Sequence, residues 1–162
     1  MSLSEKQINL IDVNDMRSQI SSLYSQMKHS TDIMDSFIKE NNAYSNISDQ
    51  YDKILIIGMG GSAIGADFVK TIIQNNISVP IFVVRDYLVP NWVDKKTFVI
   101  ASSYSGNTEE TLSAYNKCLE IGCFSIVIST GGQLTKIAKQ NDIGIIKLPK
   151  GYQPRAAIGY SL

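Results

Sequence analysis

The sequence has no net charge, few cysteines and no long apolar run, and each absence excludes a class of protein. Its 15 Lys and Arg balance 15 Asp and Glu among 162 residues, so bulk charge attracts neither nucleic acid nor an anionic membrane. Cys118 and Cys123 lack metal-ligand spacing, and a domain of this size folds without a disulfide. No apolar run approaches the roughly 20 residues of a membrane span, and the N-terminus does not resemble a signal peptide. We therefore expect a cytoplasmic protein without metal, and no nucleic-acid or membrane partner.

The first 50 residues differ in pattern from the rest. Apolar residues recur there at three- and four-residue spacing, at Met16, Ile20, Leu23, Met27, Met34, Phe37 and Ile38. This spacing predicts an amphipathic helix, capped by Asp12 or Asn14 and ended by the polar stretch "NNAYSNISDQ". Its apolar stripe would pack on the domain core or on a second subunit, and the solitary His29 is expected on the surface.

From Lys53 onwards, short apolar runs alternate with segments of helical spacing. The runs are "KILIIG", "VPIFVV", "TFVIAS", "FSIVIS" and "IGIIKL". They are rich in Ile and Val and mostly lack polar alternation, which is typical of parallel strands buried on both faces. Helical segments separate them, except that "RDYLVPNWVDKK" predicts at most a short helical turn. The alternation predicts an α/β fold with right-handed crossovers, in which ligands bind beyond the carboxyl ends of the strands.

The first of three loops at that edge is "GMGGSAIG", which we call the glycine loop. Gly60 and Gly61 place no Cβ atoms where a ligand approaches the backbone, and Ser62 adds a hydroxyl and an N–H group at the helix start. Together with the positive end of the helix dipole, they predict an anion site. The alternative is that the glycines serve only close packing of the helix on the strand.

The second loop, within "SSYSGNTEET", follows the third strand and is called the hydroxyl loop (residues 103–108). Ser103, Ser105 and Thr108 can direct hydroxyls at one point, and the turn at Gly106 and Asn107 brings backbone N–H groups beside them. Such donors hold a phosphate without a lysine, each hydrogen bond to a charged partner contributing about 1.5–3 kcal/mol. The two glutamates that follow suit the first turn of a helix. The alternative is a simple N-cap, although a cap needs only one such residue.

The third loop, "LPKGYQPRAAIGYSL", follows the fifth strand. Pro154 fixes the direction of the chain into a predicted helical run, so that Arg155 projects from a stiff base. A guanidinium is a permanently charged planar donor, and at this edge it can bind a phosphate or an oxyanion formed during a reaction. A lone arginine is more often an ordinary surface residue, but the position beside two anion loops favours a functional interpretation. We call residues 149–159 the arginine loop.

A dinucleotide site is an alternative interpretation of the glycine loop. Gly58, Gly60 and Ala63 match the loose pattern G-x-G-x-x-G/A, and Asp86 ends the second strand, where a ribose-binding acid would lie. Short glycine patterns recur by chance, and this interpretation leaves the hydroxyl cluster unexplained. The sequence therefore favours a phosphate site without a cofactor.

Together the three loops resemble one family. "GMGGSAIGAD", "SSYSGNTEETL" and "GYQPRAAIGYSL" are similar, in this order, to the bifunctional phosphoglucose/phosphomannose isomerases of the sugar isomerase (SIS) domain superfamily. Ala66 departs from the pattern, since the family often has glycine there. The resemblance implies a flavodoxin-like SIS domain at residues 51–162, a three-layer α/β/α sandwich with a five-stranded parallel sheet. The N-terminal amphipathic helix, at residues 1–50, precedes it.

The resemblance also implies roles for individual residues. Six of them would bind the substrate: Gly60, Gly61 and Ser62 against the sugar, and Ser103, Ser105 and Thr108 around its 6-phosphate. Arg155 would stabilise the enediolate between aldose and ketose, and would be the catalytic residue of this chain. The implied reaction is isomerisation of glucose 6-phosphate or mannose 6-phosphate to fructose 6-phosphate, a step of carbohydrate metabolism and glycolysis.

Members of that family carry a second SIS domain, which supplies a proton-transferring glutamate, a ring-opening histidine and a lysine. This sequence shows no counterpart of them, and Asp86, Glu109 and Glu110 have structural explanations. We therefore expect the chain alone to bind a hexose 6-phosphate but to isomerise it poorly, and to associate as a homodimer or with the missing half. The alternative is a non-catalytic SIS domain that senses phosphosugars in regulation.

Overall fold

A parallel five-stranded sheet forms the centre of the molecule. The computed structural model describes residues 3–45 and 50–162. Its strands are β1 (Lys53–Gly58), β2 (Ile81–Val84), β3 (Thr97–Ser102), β4 (Phe124–Ser129) and β5 (Gly144–Lys147). Neighbouring strands pair in parallel, in the order β2-β1-β3-β4-β5. The predicted strands and their parallel arrangement are confirmed.

Helices cover both faces of this sheet. The helices among the described residues are α1 (Glu5–Ile11), α2 (Met16–Ser21), α3 (Leu23–Glu40), α4 (Gly60–Ile73), α5 (Glu109–Ile121) and α6 (Gly132–Gln140). Of these, α3 to α6 pack on the strands. On one face, Tyr115 of α5 and Leu134 of α6 share a buried cluster with Val99 of β3. On the other, Phe37 of α3 and Ala66 of α4 belong to two further clusters. The predicted three-layer sandwich is confirmed, and both faces of the strands are apolar because helices cover both.

The connection between β2 and β3 contains turns in place of a helix. Residues 85–96, all described, form bends and turns, and one turn closes with a hydrogen bond from Val93 N to Pro90 O at 3.1 Å. Pro90 lacks a backbone donor and disfavours helical conformation in the residue before it. The carboxylate of Asp94 accepts from the Lys96 amide at 2.9 Å. The observed turn agrees with the prediction for this segment.

The predicted amphipathic helix is present as α2 and α3, which are separated at Ser22, and the short α1 precedes them. Asp12 separates α1 from α2, because its carboxylate accepts hydrogen bonds from the amides of Arg17 at 2.8 Å and Met16 at 2.7 Å. These bonds lower the pKa of Asp12, which is one of the two predicted capping residues. The polar stretch after α3 begins with a 3₁₀ helix (Asn42–Tyr44), and its residues 46–49 lie outside the described residues.

The apolar stripe of the N-terminal segment meets the sheet at one end only. Phe37 is buried, and Ile33 and Ile38 pack partly buried beside it. The other stripe residues keep more than a third of their surface exposed: Met16, Ile20, Leu23, Met27 and Met34. The stripe therefore contributes its last turns to the core and leaves the remainder at the surface, where His29 also lies as predicted.

Tyr44 fastens the end of the N-terminal segment to the sheet. Its hydroxyl donates to Ser125 O in β4 at 2.9 Å and accepts from the Gly144 amide in β5 at 2.8 Å. Its ring stacks on Phe124, with ring centroids 4.9 Å apart. A Cβ atom on Gly144 would lie 2.7 Å from the Tyr44 ring, so this contact requires glycine at the start of β5.

The buried hydroxyl of Tyr115 predicts a loss of stability at alkaline pH. Burial raises its pKa from 10.0 to about 12, and the hydroxyl lies 3.1 Å from Ser125 Oγ. Because the folded protein keeps this proton to a higher pH than the unfolded chain, the free energy of unfolding should fall as pH rises from 10.0 to about 12.

Tyr115→Phe should reduce that alkaline loss, at a cost near neutral pH of about 1 kcal/mol for the lost hydrogen bond. Urea denaturation at neutral and alkaline pH measures both effects. Tyr24→Phe, at an exposed position, is the matched control. An equal alkaline loss in both variants would contradict the assignment.

Candidate functional site

The glycine loop and the hydroxyl loop lie side by side because β1 and β3 are neighbours. Gly58 and Ser102, the last residues of these strands, are paired in the sheet. A Cβ atom on Gly58 would come within 2.9 Å of Ser102 O, so glycine permits the close approach of the two chains. From this point α4 and α5 run to opposite faces. Such a switch point at the carboxyl ends of parallel strands is where open α/β sheets bind ligands.

The glycine loop has open space beside Gly60. Gly60 has a φ of +51°, a left-handed conformation that favours glycine, and an added Cβ would meet no atom within 4 Å. Gly61 instead faces the arginine loop, where its Cβ would lie 3.0 Å from Pro154 O. Helix α4 begins at Gly60, so the buried Ser62 lies within its first turn. The N–H group of Ser62 is still one of those that lack an intrahelical acceptor.

The hydroxyl loop holds its shape through its own side chains. Ser103 is only 3% exposed. Its hydroxyl lies 2.9 Å from Thr108 Oγ1 and accepts from the Gly106 amide at 3.1 Å. Ser105 is exposed, and its hydroxyl accepts from the Asn107 amide at 3.2 Å. The structure thus brings the hydroxyls of Ser103 and Thr108 together, with Ser103 inside the loop, and places Ser105 at the surface of the same loop.

Helix α5 begins directly after the hydroxyl loop, with Thr108 as its N-cap residue. Glu109 and Glu110 lie in its first turn as predicted, where the helix dipole favours carboxylates. The pKa of the Tyr87 hydroxyl is raised, most strongly by the negative charge of Glu110 and to a smaller extent by burial and by Glu109. The two carboxylates therefore lie towards the loop after β2, and the positive end of α5 is directed at the hydroxyl loop.

The arginine loop is tied to the hydroxyl loop by Tyr104. The Tyr104 hydroxyl donates to Pro149 O at 2.9 Å and accepts from the Tyr152 amide at 3.0 Å. Burial raises the pKa of Tyr104, which favours the neutral hydroxyl that this bridge needs. Arg155 is exposed, and the carbonyl of the residue before it faces Gly61. All three predicted loops therefore meet at one edge of the sheet.

The sequence predicted a helical run from Arg155, and the structure has a turn and a short 3₁₀ helix there. Residues 154–156 form a turn, and a 3₁₀ helix (Ile158–Tyr160) follows. The side chain of Gln26 explains the difference, because its amide bonds to Ala156 O at 2.8 Å and to Gly159 N at 3.1 Å. These two backbone groups are thereby taken out of any α-helical ladder.

The connection after β4 supports the hydroxyl loop through contacts that sequence patterns did not indicate. Asn107 Oδ1 accepts from the Gln133 amide in the first turn of α6 at 2.9 Å, and Gly106 O accepts from the Leu134 amide at 2.8 Å. Gly106 has a φ of +70°, and a Cβ atom there would lie 1.8 Å from Gly131 O. The Gly-Asn pair predicted a turn, but its partners lie about 25 residues further along the chain.

For residues 3–45 and 50–162, two further kinds of feature are relevant, a metal-binding cluster and a membrane-spanning helix. No three His, Cys, Asp or Glu side chains of that part of the chain are grouped so as to hold a metal ion. Likewise, none of the described helices is long and apolar enough to cross a membrane. Asp86, the candidate ribose ligand, accepts from the Leu88 amide at 3.3 Å and so belongs to the turn after β2.

Asn107 is expected to act as the side-chain cap of α6. Asn107→Ala should lower the free energy of unfolding by about 1 kcal/mol, because the Gln133 amide loses its acceptor. Asn107→Asp retains an acceptor oxygen and should stay close to the parent protein in urea denaturation. Asn116→Ala removes an exposed amide from α5 and serves as the control. Equal stability of the two alanine variants would exclude this capping role.

Comparison with known proteins agrees with this geometry. The SIS domain model matches residues 47–151. A bifunctional phosphoglucose/phosphomannose isomerase of Caldicellulosiruptor bescii is 47% identical over 124 residues, which are 76% of this chain and 37% of that protein. A D-glucosamine-6-phosphate 4-epimerase of Sulfolobus acidocaldarius is 40% identical over 110 residues, which are 67% of this chain and 34% of that protein.

A solved structure shows the same fold. Tagatose-6-phosphate ketose/aldose isomerase from Escherichia coli superposes with a TM-score of 0.68 at 14% identity, over 90% of this chain and 43% of that one. The chain spans about a third of the length of the curated relatives it matches. The model match includes the glycine and hydroxyl loops and ends before Arg155. The chain belongs to the SIS domain family.

Proposed function

We propose that the edge formed by the three loops binds a hexose 6-phosphate. The observation that carries the proposal is the hydroxyl loop, which presents the hydroxyls of Ser105 and Thr108 and several backbone amides directly before the start of a 13-residue helix. Hydroxyls, amides and a helix N-terminus in combination suit a phosphate group. Because the chain has zero net charge, this local arrangement has to supply the attraction.

In this proposal, different candidate residues contact the phosphate and the sugar of the substrate. Ser105 and Thr108 donate to phosphate oxygens, and the buried Ser103 keeps the loop in shape. The sugar lies against the glycine loop, at Gly60, Gly61 and Ser62. The close approach of Gly61 to the arginine loop supports this placement, because it brings the sugar site next to Arg155.

The proposed reaction is aldose–ketose isomerisation of glucose 6-phosphate or mannose 6-phosphate to fructose 6-phosphate. A proton moves between C1 and C2 through an enediolate, and the guanidinium of Arg155 stabilises the oxyanion. The name of the Caldicellulosiruptor relative supports this reaction. The Sulfolobus relative is named as a 4-epimerase of another sugar 6-phosphate. The two names share a sugar phosphate as substrate and differ in the reaction, so binding of a sugar phosphate is the more general part of the proposal.

The base for this proton transfer is proposed to come from a second SIS domain or a second copy of this chain. A positioned base contributes about 10²- to 10⁴-fold in rate. Glu109 and Glu110 belong to the start of α5, and Asp86 belongs to a turn. The chain alone is therefore proposed to bind its substrate but to turn it over slowly, until a second SIS domain or a second copy completes the site.

Residues 1–50 and 51–162 are proposed as a helical segment and an SIS domain of a cytoplasmic homodimer. The exposed part of the apolar stripe, from Met16 to Met34, supports association, because contiguous apolar surface often marks an interface. Light scattering at tens of micromolar should report a dimer. A monomer under those conditions would contradict the homodimer.

Replacing both Ser105 and Thr108 by alanine tests phosphate binding. The loss of two hydrogen bonds to a charged group, at about 1.5–3 kcal/mol each, should weaken fructose 6-phosphate binding by about 10²- to 10⁴-fold. Titration calorimetry measures the affinity. Ser113→Ala, exposed on α5, should bind like the parent chain. Unchanged affinity in the double variant would overturn the proposal.

A regulatory phosphosugar sensor is the second candidate function. It is favoured by the structural roles of the carboxylates near the edge, Glu109 and Glu110. Isomerisation restored by adding the second SIS domain of a relative would support the enzyme. Association with a transcription factor that depends on the ligand, without restored turnover, would support the sensor.

A further inference from the structure

A buried amide reaches the arginine loop from the N-terminal helices. Gln26 of α3 is 1% exposed. Its Nε2 donates to Ala156 O at 2.8 Å, and its Oε1 accepts from Gly159 N at 3.1 Å. Nε2 also lies 2.9 Å from Gln19 O in α2. The loop that carries Arg155 is therefore bonded to an element 130 residues earlier in the chain.

A second glutamine holds the same loop on the other side of Arg155. Gln19 Oε1 accepts from Gln153 N at 2.7 Å, while its Nε2 donates to Asn14 O at 2.9 Å. The two glutamines thus bond to backbone groups before and after Arg155. Gly159 packs closely on Gln26, because a Cβ atom on Gly159 would lie 2.6 Å from Gln26 Cβ.

Core packing alone does not account for an amide at position 26. The residues of α3 that pack on the sheet are apolar, such as Phe37 and Ile33. A buried amide lowers stability unless its donors and acceptor are satisfied. Here the arginine loop donates to Oε1 and accepts from Nε2, and Gln19 O and Ser22 Oγ also accept from Nε2. A methionine would fill a similar volume but leave Ala156 O and Gly159 N without this partner.

We propose that Gln26, assisted by Gln19, is a positioning residue that fixes the arginine loop so that Arg155 is preorganised towards the reacting carbons. This inference rests on the proposed function. Electrostatic stabilisation depends on charges held in place before the reaction, and a misplacement of about 1 Å costs about 10²-fold. Loosening this loop should therefore weaken binding of the enediolate while leaving phosphate binding intact, because the hydroxyl loop has its own support from α6.

Hydrogen exchange of the full chain tests, without any ligand, whether Gln26 holds the arginine loop in place. In Gln26→Met, the amide of Gly159 should exchange about tenfold faster or more, because its local opening becomes easier. The amide of Leu134, which bonds to the hydroxyl loop, should keep its rate. Val99→Ala, in the cluster on the opposite face, controls for general destabilisation and should speed both amides alike.

The binding of two ligands tests the functional half of the proposal, namely whether Gln26 positions Arg155 for the enediolate. The first probe is inorganic phosphate, and the second is a five-carbon aldonohydroxamate 5-phosphate, which mimics the enediolate. Gln26→Met should bind phosphate like the parent chain and the hydroxamate about tenfold more weakly or worse. Arg155→Ala should lose hydroxamate affinity as well, and the double variant should lose little more, because the two residues act through one contact.

The outcomes separate this inference from the proposed function. The positioning role would be overturned if Gln26→Met left the exchange rate of the Gly159 amide unchanged. It would also be overturned if Gln26→Met lost equal affinity for phosphate and for the hydroxamate while the parent chain binds both. A parent chain that binds neither probe would contradict the proposed function and with it the functional half. If Gln26→Met does not fold, Gln19→Met replaces it, with faster exchange expected at the Gln153 amide and the same split between probes.

Discussion

The pairing of β1 with β3 is the constraint on which the rest of the structure depends. It places the ends of two buried strands side by side, with Gly58 against Ser102, and sends α4 and α5 to opposite faces of the sheet. The glycine and hydroxyl loops then have to lie side by side, each at a helix N-terminus. A neutral chain can attract an anion there because the positive potential is local and comes from backbone dipoles.

Long-range hydrogen bonds connect these adjacent loops to one another and to the neighbouring helices. Tyr104 connects the hydroxyl loop to the arginine loop, Asn107 connects it to α6, and Gln26 connects the arginine loop to α3. Each bond satisfies backbone groups that would otherwise need water. Helix α3 therefore supports the candidate site in addition to packing on part of one face of the sheet.

The sequence predicted the layers and the placement of the three loops, because short runs of Ile and Val and glycine-rich turns act locally. It predicted less where the determining partner is distant. The turn around Arg155 and the 3₁₀ helix that follows it depend on a glutamine 130 residues away. No local pattern distinguishes Gln26 from an ordinary polar residue of an amphipathic helix. Similarly, the spacing of hydroxyls did not show that Ser103 is buried and Ser105 exposed.

Amide chemical-shift mapping with fructose 6-phosphate tests the central claim most directly. Binding at the proposed edge should shift the backbone amides of the hydroxyl loop most, followed by those of Gly60, Gly61 and Arg155. The open groove of about 680 Å³ between α3 and β5, which includes Asp32 and Lys147, should show no shifts. Shifts confined to that groove, or none at millimolar sugar phosphate, would contradict the assignment of the site.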